Sequence, residues 1–380
     1  MSAGERRTRM GLCALMTWAS PLLGRTLAEF GAEALWAGLL ADGEESTFGR
    51  RAAAIDLGEL ERATAACGAR FLIPGDDEWP ASLGSLAPVE VGGMGGEPAG
   101  LWALGGPLEG LSGAVAVVGA RACTRYGEQA AATLSADLAV EGRCIISGLA
   151  YGIDAAAHRG ALGVGGHTVA VLAGGVDDPY PTANRRLAEA VVRAGCVLSE
   201  TPPGVRPTKQ AFLARNRLIA ALSEAVVVVE AASRSGAKNT ASWAGELARP
   251  VLAVPGPITS SLSATPHRLV RDGEAVLVTS AAEVAQAVAP LDPLREPEGR
   301  GERRPIDSLQ PALLEIREAV APRESVTPAE LARRTGQSVL DVLANAHALV
   351  AGGWLDLADD GLFSLPRRRR PKEVTMTSAS

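Results

Sequence analysis

Ala114-Val-Ala-Val-Val-Gly119 is a short uncharged run, rich in β-branched residues and ended by glycine, and six runs of the same kind follow it. They are Cys144-Ile-Ile-Ser147, Thr168-Val-Ala-Val-Leu172, Cys196-Val-Leu-Ser199, Ala225-Val-Val-Val-Val229, Val251-Leu-Ala-Val254 and Ala275-Val-Leu-Val278. Segments of helical periodicity separate them. Strands that are apolar on both faces and alternate with helices predict a mainly parallel sheet covered on both sides, a Rossmann-like, doubly wound α/β fold. Such sheets bind ligands outside the carboxyl ends of their strands, where loops and helix N-termini present backbone N–H groups.

On either side of this core the pattern changes. Residues 1–66 carry helical periodicity without a strand signal, as in Ala34-Leu-Trp-Ala-Gly-Leu-Leu40, and predict a helical N-terminal domain. The extended core is expected over 67–289, its first part (67–106) an irregular, glycine-rich connection with a first strand at Phe71-Leu-Ile-Pro74. Proline, glycine and charge dominate 290–306, the composition of a linker. In 307–366, three helical patterns precede Trp354-Leu-Asp-Leu-Ala-Asp-Asp-Gly-Leu-Phe-Ser-Leu365, two short strands around an Asp-Gly turn, which predicts a C-terminal winged-helix domain. The remainder, 367–380, opens on four arginines and reads as a disordered basic tail.

The chain has 380 residues, 47% of them hydrophobic, enough for a sizeable buried core. Its five cysteines are scattered, without a Cys-x-x-Cys pair, which argues against a zinc knuckle or a disulfide framework. No segment approaches about 18 uncharged apolar residues, and the first residues lack export-signal character, so a cytoplasmic protein without a membrane span is expected. A formal net charge of -6 excludes a general basic coat for nucleic acid. Any polyanion site must be local.

One stretch qualifies. Arg206-Pro-Thr-Lys209-Gln-Ala-Phe212-Leu-Ala-Arg215-Asn216-Arg217 holds four cations and one aromatic and no acid. Cations at irregular spacing can follow a phosphate backbone while a ring stacks on a base. The same segment continues into Leu218, Ile219 and Leu222, so its charges are equally compatible with the solvated side of an amphipathic helix. At the first strand's end, Gly119-Ala-Arg121 followed by Thr124 offers a guanidinium and a capped helix start for a phosphate, or else an arginine that bridges loop carbonyls. Gly148 and Gly152 allow close backbone approach to a ligand, or tight packing of helix on strand. Asp154 and His158, one helical turn apart, suggest a metal or acid–base pair less than local hydrogen bonding, since no third ligand is recognisable. Ser235-Gly-Ala-Lys238-Asn-Thr240 again brings a cation and polar donors to a helix start. One rim of the sheet is thus expected to collect Arg121, Lys209, Arg215, Arg217 and Lys238. Neither a Gly-x-Gly-x-x-Gly fingerprint nor a Walker loop is present, and no cofactor or metal is expected.

Taken in order, these motifs resemble the DNA-processing protein A family, also called Smf. The resemblance runs through Gly119-Ala-Arg121 with Tyr126-Gly127, Ser147-Gly-Leu-Ala-Tyr-Gly-Ile-Asp154, Val169 to Asp177, Tyr180-Pro181, Asn184, Phe212-x-x-Arg215-Asn216-Arg217, Ser235-Gly236-x-x-x-Thr240-Ala241 and Val254-Pro-Gly256. It implies a single-stranded DNA-binding protein of natural transformation that protects incoming strands, loads RecA recombinase and forms a homodimer, without being an enzyme. It further implies that Arg121, Lys209 and Phe212 line the strand-binding pocket. Arg215 and Lys238 join them by position along the rim, with Gly119, Gly148 and Gly152 as close-approach glycines, while Arg215 and Arg217 are equally open to being locked by Glu200 or Glu230. Against the family pattern, Ser263-Ala-Thr-Pro266 lacks the usual glycine. Two alternatives stand beside this one: a phosphoribohydrolase-like nucleotide-processing enzyme, whose Pro-Gly-Gly-x-Gly-Thr loop is absent here, and a recombinase scaffold that binds no DNA. The helix expected at Ser338–His347 has no basic residue, which favours packing or partner contact over duplex binding.

Overall fold

In a computed structural model, which describes residues 2–108, 111–233, 235–288, 306 and 309–366, helix starts are set by short polar side chains. Ser20, Ser46 and Asp56 each accept hydrogen bonds from backbone N–H groups of the first turn they precede. The helices so begun form the N-terminal series α1 (Ala3–Ala14), α2 (Pro21–Phe30), α3 (Ala32–Asp42), α4 (Thr47–Ala53) and α5 (Leu57–Ala66). Strands β1 (Arg70–Leu72), β2 (Glu90–Val91), β3 (Met94–Gly95) and β4 (Leu101–Gly105) follow. The seven apolar runs then become β5 (Val115–Val118), β6 (Ile145–Ser147), β7 (Thr168–Leu172), β8 (Cys196–Ser199), β9 (Ala225–Val228), β10 (Val251–Ala253) and β11 (Val276–Leu277). Between and after them lie α6 (Arg125–Val140), α7 (Ile153–Gly163), α8 (Arg185–Ala194), α9 (Lys209–Leu222), α10 (Gly236–Glu246), α11 (Ala264–Arg271) and α12 (Ala281–Val288). Where the family's glycine is missing, residues 261–263 make a 3-10 turn into α11.

The main sheet has nine strands in the order β1-β4-β8-β7-β6-β5-β9-β10-β11. From β8 to β11 every pairing is parallel, and β4 and β1 add antiparallel strands beyond β8. The chain enters this parallel part at β5, moves outward through β6, β7 and β8, and returns to the other side of β5 with β9. That reversal between β5 and β9 opens a crevice at the carboxyl ends of the strands. Successive residues point to opposite faces, which both carry helices. Val115 and Val117 pack under α6, α7 and α12, whereas Ala116 and Val118 face α9, α10 and α11.

Three strands and one contact were not foreseen. Leu101-Trp-Ala-Leu-Gly105 forms β4 rather than irregular connection, pairing Trp102 with Ser199 and Ala103 with Leu198, while β2 and β3 make a small separate hairpin. Helices α1 and α3 share their core with the sheet. Met10, Leu12 and Trp36 join one apolar cluster with Phe71, Trp102 and Ala170, and residues 1–291 are one compact unit.

The second unit runs from Asp292. Within it, α13 (Pro311–Glu318), α14 (Pro328–Thr335) and α15 (Val339–Ala351) enclose Ile316, Leu331, Val342, Leu349 and Phe363. The two expected strands, β13 (Asp356–Leu357) and β14 (Phe363–Ser364), are joined by β12 (Ser325–Val326) in an antiparallel sheet. The linker expected at 290–306, apart from Ile306, and the basic tail at 367–380 lie outside the described residues. Among the described residues no helix is long and apolar enough to cross a membrane.

Candidate nucleic-acid interface

Helix α9 carries the basic-aromatic run, and its placement separates the four cations. Thr208 caps the helix through its hydroxyl, which accepts from the Ala211 N–H, and Pro207 stands just before it. Arg206 and Lys209 are exposed at this end. Lys209, Phe212, Asn216 and Ile219 form one stripe at i, i+3, i+7 and i+10, and all four line a groove of 1060 Å³ at the crevice between β5 and β9. Arg206, Pro207 and Tyr180 also line it.

Across the groove, the loop after β5 supplies Gly119, Ala120 and Arg121. The Arg121 guanidinium lies 4.7 Å from the centroid of the Phe212 ring. Cation and aromatic therefore meet face to face, at a separation that supports a cation–π contact. The ring of Tyr180 approaches the same Phe212 edge-on, with centroids 6.0 Å apart. Among the described residues Arg121 makes no ion pair. Its loop is held from below by buried Glu230, whose carboxylate accepts from both the N–H (2.8 Å) and the hydroxyl (2.6 Å) of Thr124. Thr124 therefore serves the loop, not a phosphate as the sequence had suggested.

The floor consists of Asp154 and Arg215, 6% exposed each. Burial raises the Asp154 carboxyl above its usual range, against the pull of Arg215 and Arg121. Burial also lowers the Arg215 guanidinium to about 10, with Asp154 opposing and Arg121 adding to the shift, so Arg215 stays charged at neutral pH. Arg215 donates to the Val171 carbonyl at 2.9 Å, while among the described residues its Nε has no hydrogen-bond partner. At the remaining wall, α10 begins with Ser235, which accepts from the Ala237 N–H, and points its N-terminus at the groove. A helix N-terminus favours anions.

Several expected site residues stand elsewhere. Arg217 is 1% exposed and makes a two-pronged ion pair with Glu200, both contacts at 2.8 Å, so it does not belong to the rim. Lys238 is exposed on α10 but does not line the groove, unlike Gly236, Ala237 and Thr240 around it. Gly148 and Gly152 approach protein, not open groove. A Cβ on Gly148 would lie 1.4 Å from Arg215 Nη1, and one on Gly152, at φ +72°, would lie 2.3 Å from the Ala120 carbonyl oxygen. Gly119 does line the groove, with a would-be Cβ 2.6 Å from Ile153. His158 is fully buried, its Nδ1 2.8 Å from the Thr168 hydroxyl. That hydroxyl already donates to the Ile145 carbonyl, so Nδ1 carries the proton and donates to it. Among the described residues no cluster of His, Cys, Asp or Glu is arranged to hold a metal.

Tyr180 was overlooked as a wall residue, and Arg206, one of the four cations of the basic run, was not placed on the rim. Their signals were present: Tyr180 follows a strand's carboxyl end, and Arg206 directly precedes a capped helix.

Comparison with known proteins gives concordant results. The family model described as DNA recombination-mediator protein A matches residues 70–289. The DNA processing protein DprA of Mycobacterium tuberculosis is 45% identical over 297 residues, which span 77% of this chain and 76% of that one. Protein Smf of Escherichia coli is 37% identical over 263 residues, 67% of this chain and 68% of its own. Among solved structures, the DNA processing protein A of Streptococcus pneumoniae superposes with a TM-score of 0.61 at 35% identity, covering 73% of this chain and 95% of that one. The Helicobacter pylori protein of the same name, described for its single-stranded DNA binding mode, gives a TM-score of 0.50 at 27% identity, over 58% of this chain and 95% of that one.

Proposed function

Because this chain belongs to the DNA recombination-mediator protein A family, and is thereby a DNA-processing protein, we propose that its groove binds single-stranded DNA. One observation carries the proposal: Arg121, Lys209 and the ring of Phe212 converge on a single open groove in an otherwise acidic chain. The two cations hold phosphates and the ring takes a base, a division of labour that tolerates any sequence. Arg206 adds charge at the entrance and Arg215 a guanidinium at the floor. The protein acts as a binder, not an enzyme. It protects the strand and passes it to a RecA-type recombinase as a homodimer. Residues 307–366 form a winged-helix domain that makes protein contacts: α15 has no lysine or arginine, and the arginines before it, Arg333 and Arg334, are already paired with Glu330 and Glu324.

Fluorescence anisotropy with a labelled oligothymidylate across a salt series tests the groove. Each phosphate contact on a single strand contributes about 0.7 to the slope of log affinity against log salt, so Arg121→Ala with Lys209→Ala flattens it by about 1.4. Phe212→Ala lowers affinity by about 1–3 kcal/mol at every salt concentration. An unchanged slope in the folded double variant refutes the site. Base release from a nucleotide panel would instead identify an enzyme.

A further inference from the structure

The chain has three tyrosines, Tyr126, Tyr151 and Tyr180, and all stand on one rim of the sheet. Tyr180 lies in the loop after β7, Tyr151 in the loop after β6, and Tyr126 at the second position of α6, just past β5. Those three strands are consecutive neighbours, parallel, with their carboxyl ends at the same edge. These residues are 51%, 48% and 44% exposed respectively, so none is spent on the core. A single exposed ring needs no explanation. Three on adjacent loops, with no tyrosine anywhere else in the chain, bordering a groove that already contains Phe212, do.

Tyr180 and Phe212 are neighbours in the groove wall, 6.0 Å apart. Tyr151 adjoins the other side of the site. The residue after it, Gly152, packs directly on the carbonyls of Ala120 and Arg121, and the Ile153 N–H donates to the Ala120 carbonyl at 3.2 Å. Tyr126 follows the Arg121 loop, and its hydroxyl donates to the Pro255 carbonyl, which anchors the ring's far end while leaving much of its surface open. Arg125 beside it is exposed. Because β7, β6 and β5 are successive strands, the loops that carry the three rings follow one another along the rim.

We propose that Tyr151 and Tyr126 are base-stacking stations that carry a single strand out of the groove, past Tyr180 and Arg121, along the β7-β6-β5 rim. The ligand is the unpaired nucleobase, and because every base has a π-face these stations extend the footprint without reading sequence. The inference rests on single-strand binding in the groove.

Its test compares three probes by anisotropy: an oligothymidylate of about 4 nucleotides, one of about 12, and one of about 12 whose bases past the first few are abasic. The last two carry equal phosphate charge, so their difference isolates stacking. In the wild-type protein the full probe binds at least roughly 30-fold more tightly than the abasic one, from two stations of about 1–3 kcal/mol each. Tyr126→Ala with Tyr151→Ala abolishes that difference and leaves the short probe bound as before. Tyr126→Phe with Tyr151→Phe preserves it, because the ring and not the hydroxyl is what stacks. Retention of the full difference by the alanine pair overturns the proposal, as does its loss in the phenylalanine pair. Failure of the groove itself is separately visible, since the short probe would then be insensitive to Arg121→Ala with Lys209→Ala.

Discussion

Arg217→Ala should unfold part of this protein's stability and leave its DNA affinity in place. The guanidinium is 1% exposed and makes four hydrogen bonds: two to the Glu200 carboxylate at 2.8 Å, one to the Gly96 carbonyl at 3.1 Å and one to the Ala214 carbonyl at 3.1 Å. Truncation leaves Glu200 as an uncompensated, largely buried charge and strands two carbonyls. Breaking a buried pair from one side costs about 3–5 kcal/mol, against about 0–1 kcal/mol for an exposed pair. Domains are stable by about 5–15 kcal/mol, so the loss is a large fraction of the total. Urea denaturation measures it as a lower midpoint at unchanged m-value. The companion variant Arg217→Met with Glu200→Leu removes both charges at once, and its destabilisation should be well below the sum of the single changes. Anisotropy on the folded fraction should give wild-type affinity for single strands. A variant with the wild-type urea midpoint but without DNA binding would refute the assignment and return Arg217 to the groove.

Two further outcomes follow from buried features of the same site. Gly148→Ala drives a methyl into the Arg215 guanidinium and must displace it from the Val171 carbonyl; a melting temperature and oligonucleotide affinity both equal to wild type would contradict that packing. The fully buried His158 has its pKa lowered from 6.5 to about 3, chiefly by burial and further by Arg215. The unfolded chain therefore binds more protons than the native one between these values. The stability is fully present above pH 6.5 and lost as pH falls towards about 3, with a slope of about 1.4 kcal/mol per pH unit within the window. Asp154, raised by burial, titrates with the opposite sign, so the measurement is the difference between wild type and His158→Gln in acid denaturation, and an unaltered pH profile would count against a neutral buried imidazole.

Strands β5 to β10 were legible because strands buried on both faces leave almost uninterrupted apolar runs, a signal that needs no knowledge of partners, whereas β11 gave the same run although Val276 and Leu277 are exposed at the sheet's edge. Strand β4 was not, since Leu101-Trp-Ala-Leu-Gly105 sits in a glycine-rich stretch and gains its regularity only by pairing with β8, almost a hundred residues on. In the site, Arg121 and Phe212 announced themselves at a strand's end and in a cation-rich run. Their contact at 4.7 Å did not, because it joins segments ninety residues apart. Tyr151 illustrates the same limit: nothing in its own segment says that it stands half exposed on the rim.

Sequence by itself determined the alternation of strand and helix, the capped start of α6 at Thr124, and the fact that any polyanion site in so acidic a chain is local. Those are matters of periodicity, side-chain chemistry and composition, all carried within a few residues or in the whole sum. Tertiary structure alone divided the cations of the basic run. Positions 215 and 217 are two residues apart on a helix, hence about 200° apart around its axis. One guanidinium therefore turns to the groove floor beside Asp154 and the other to Glu200, and which side holds a groove and which a carboxylate is settled by chain folded back from far away.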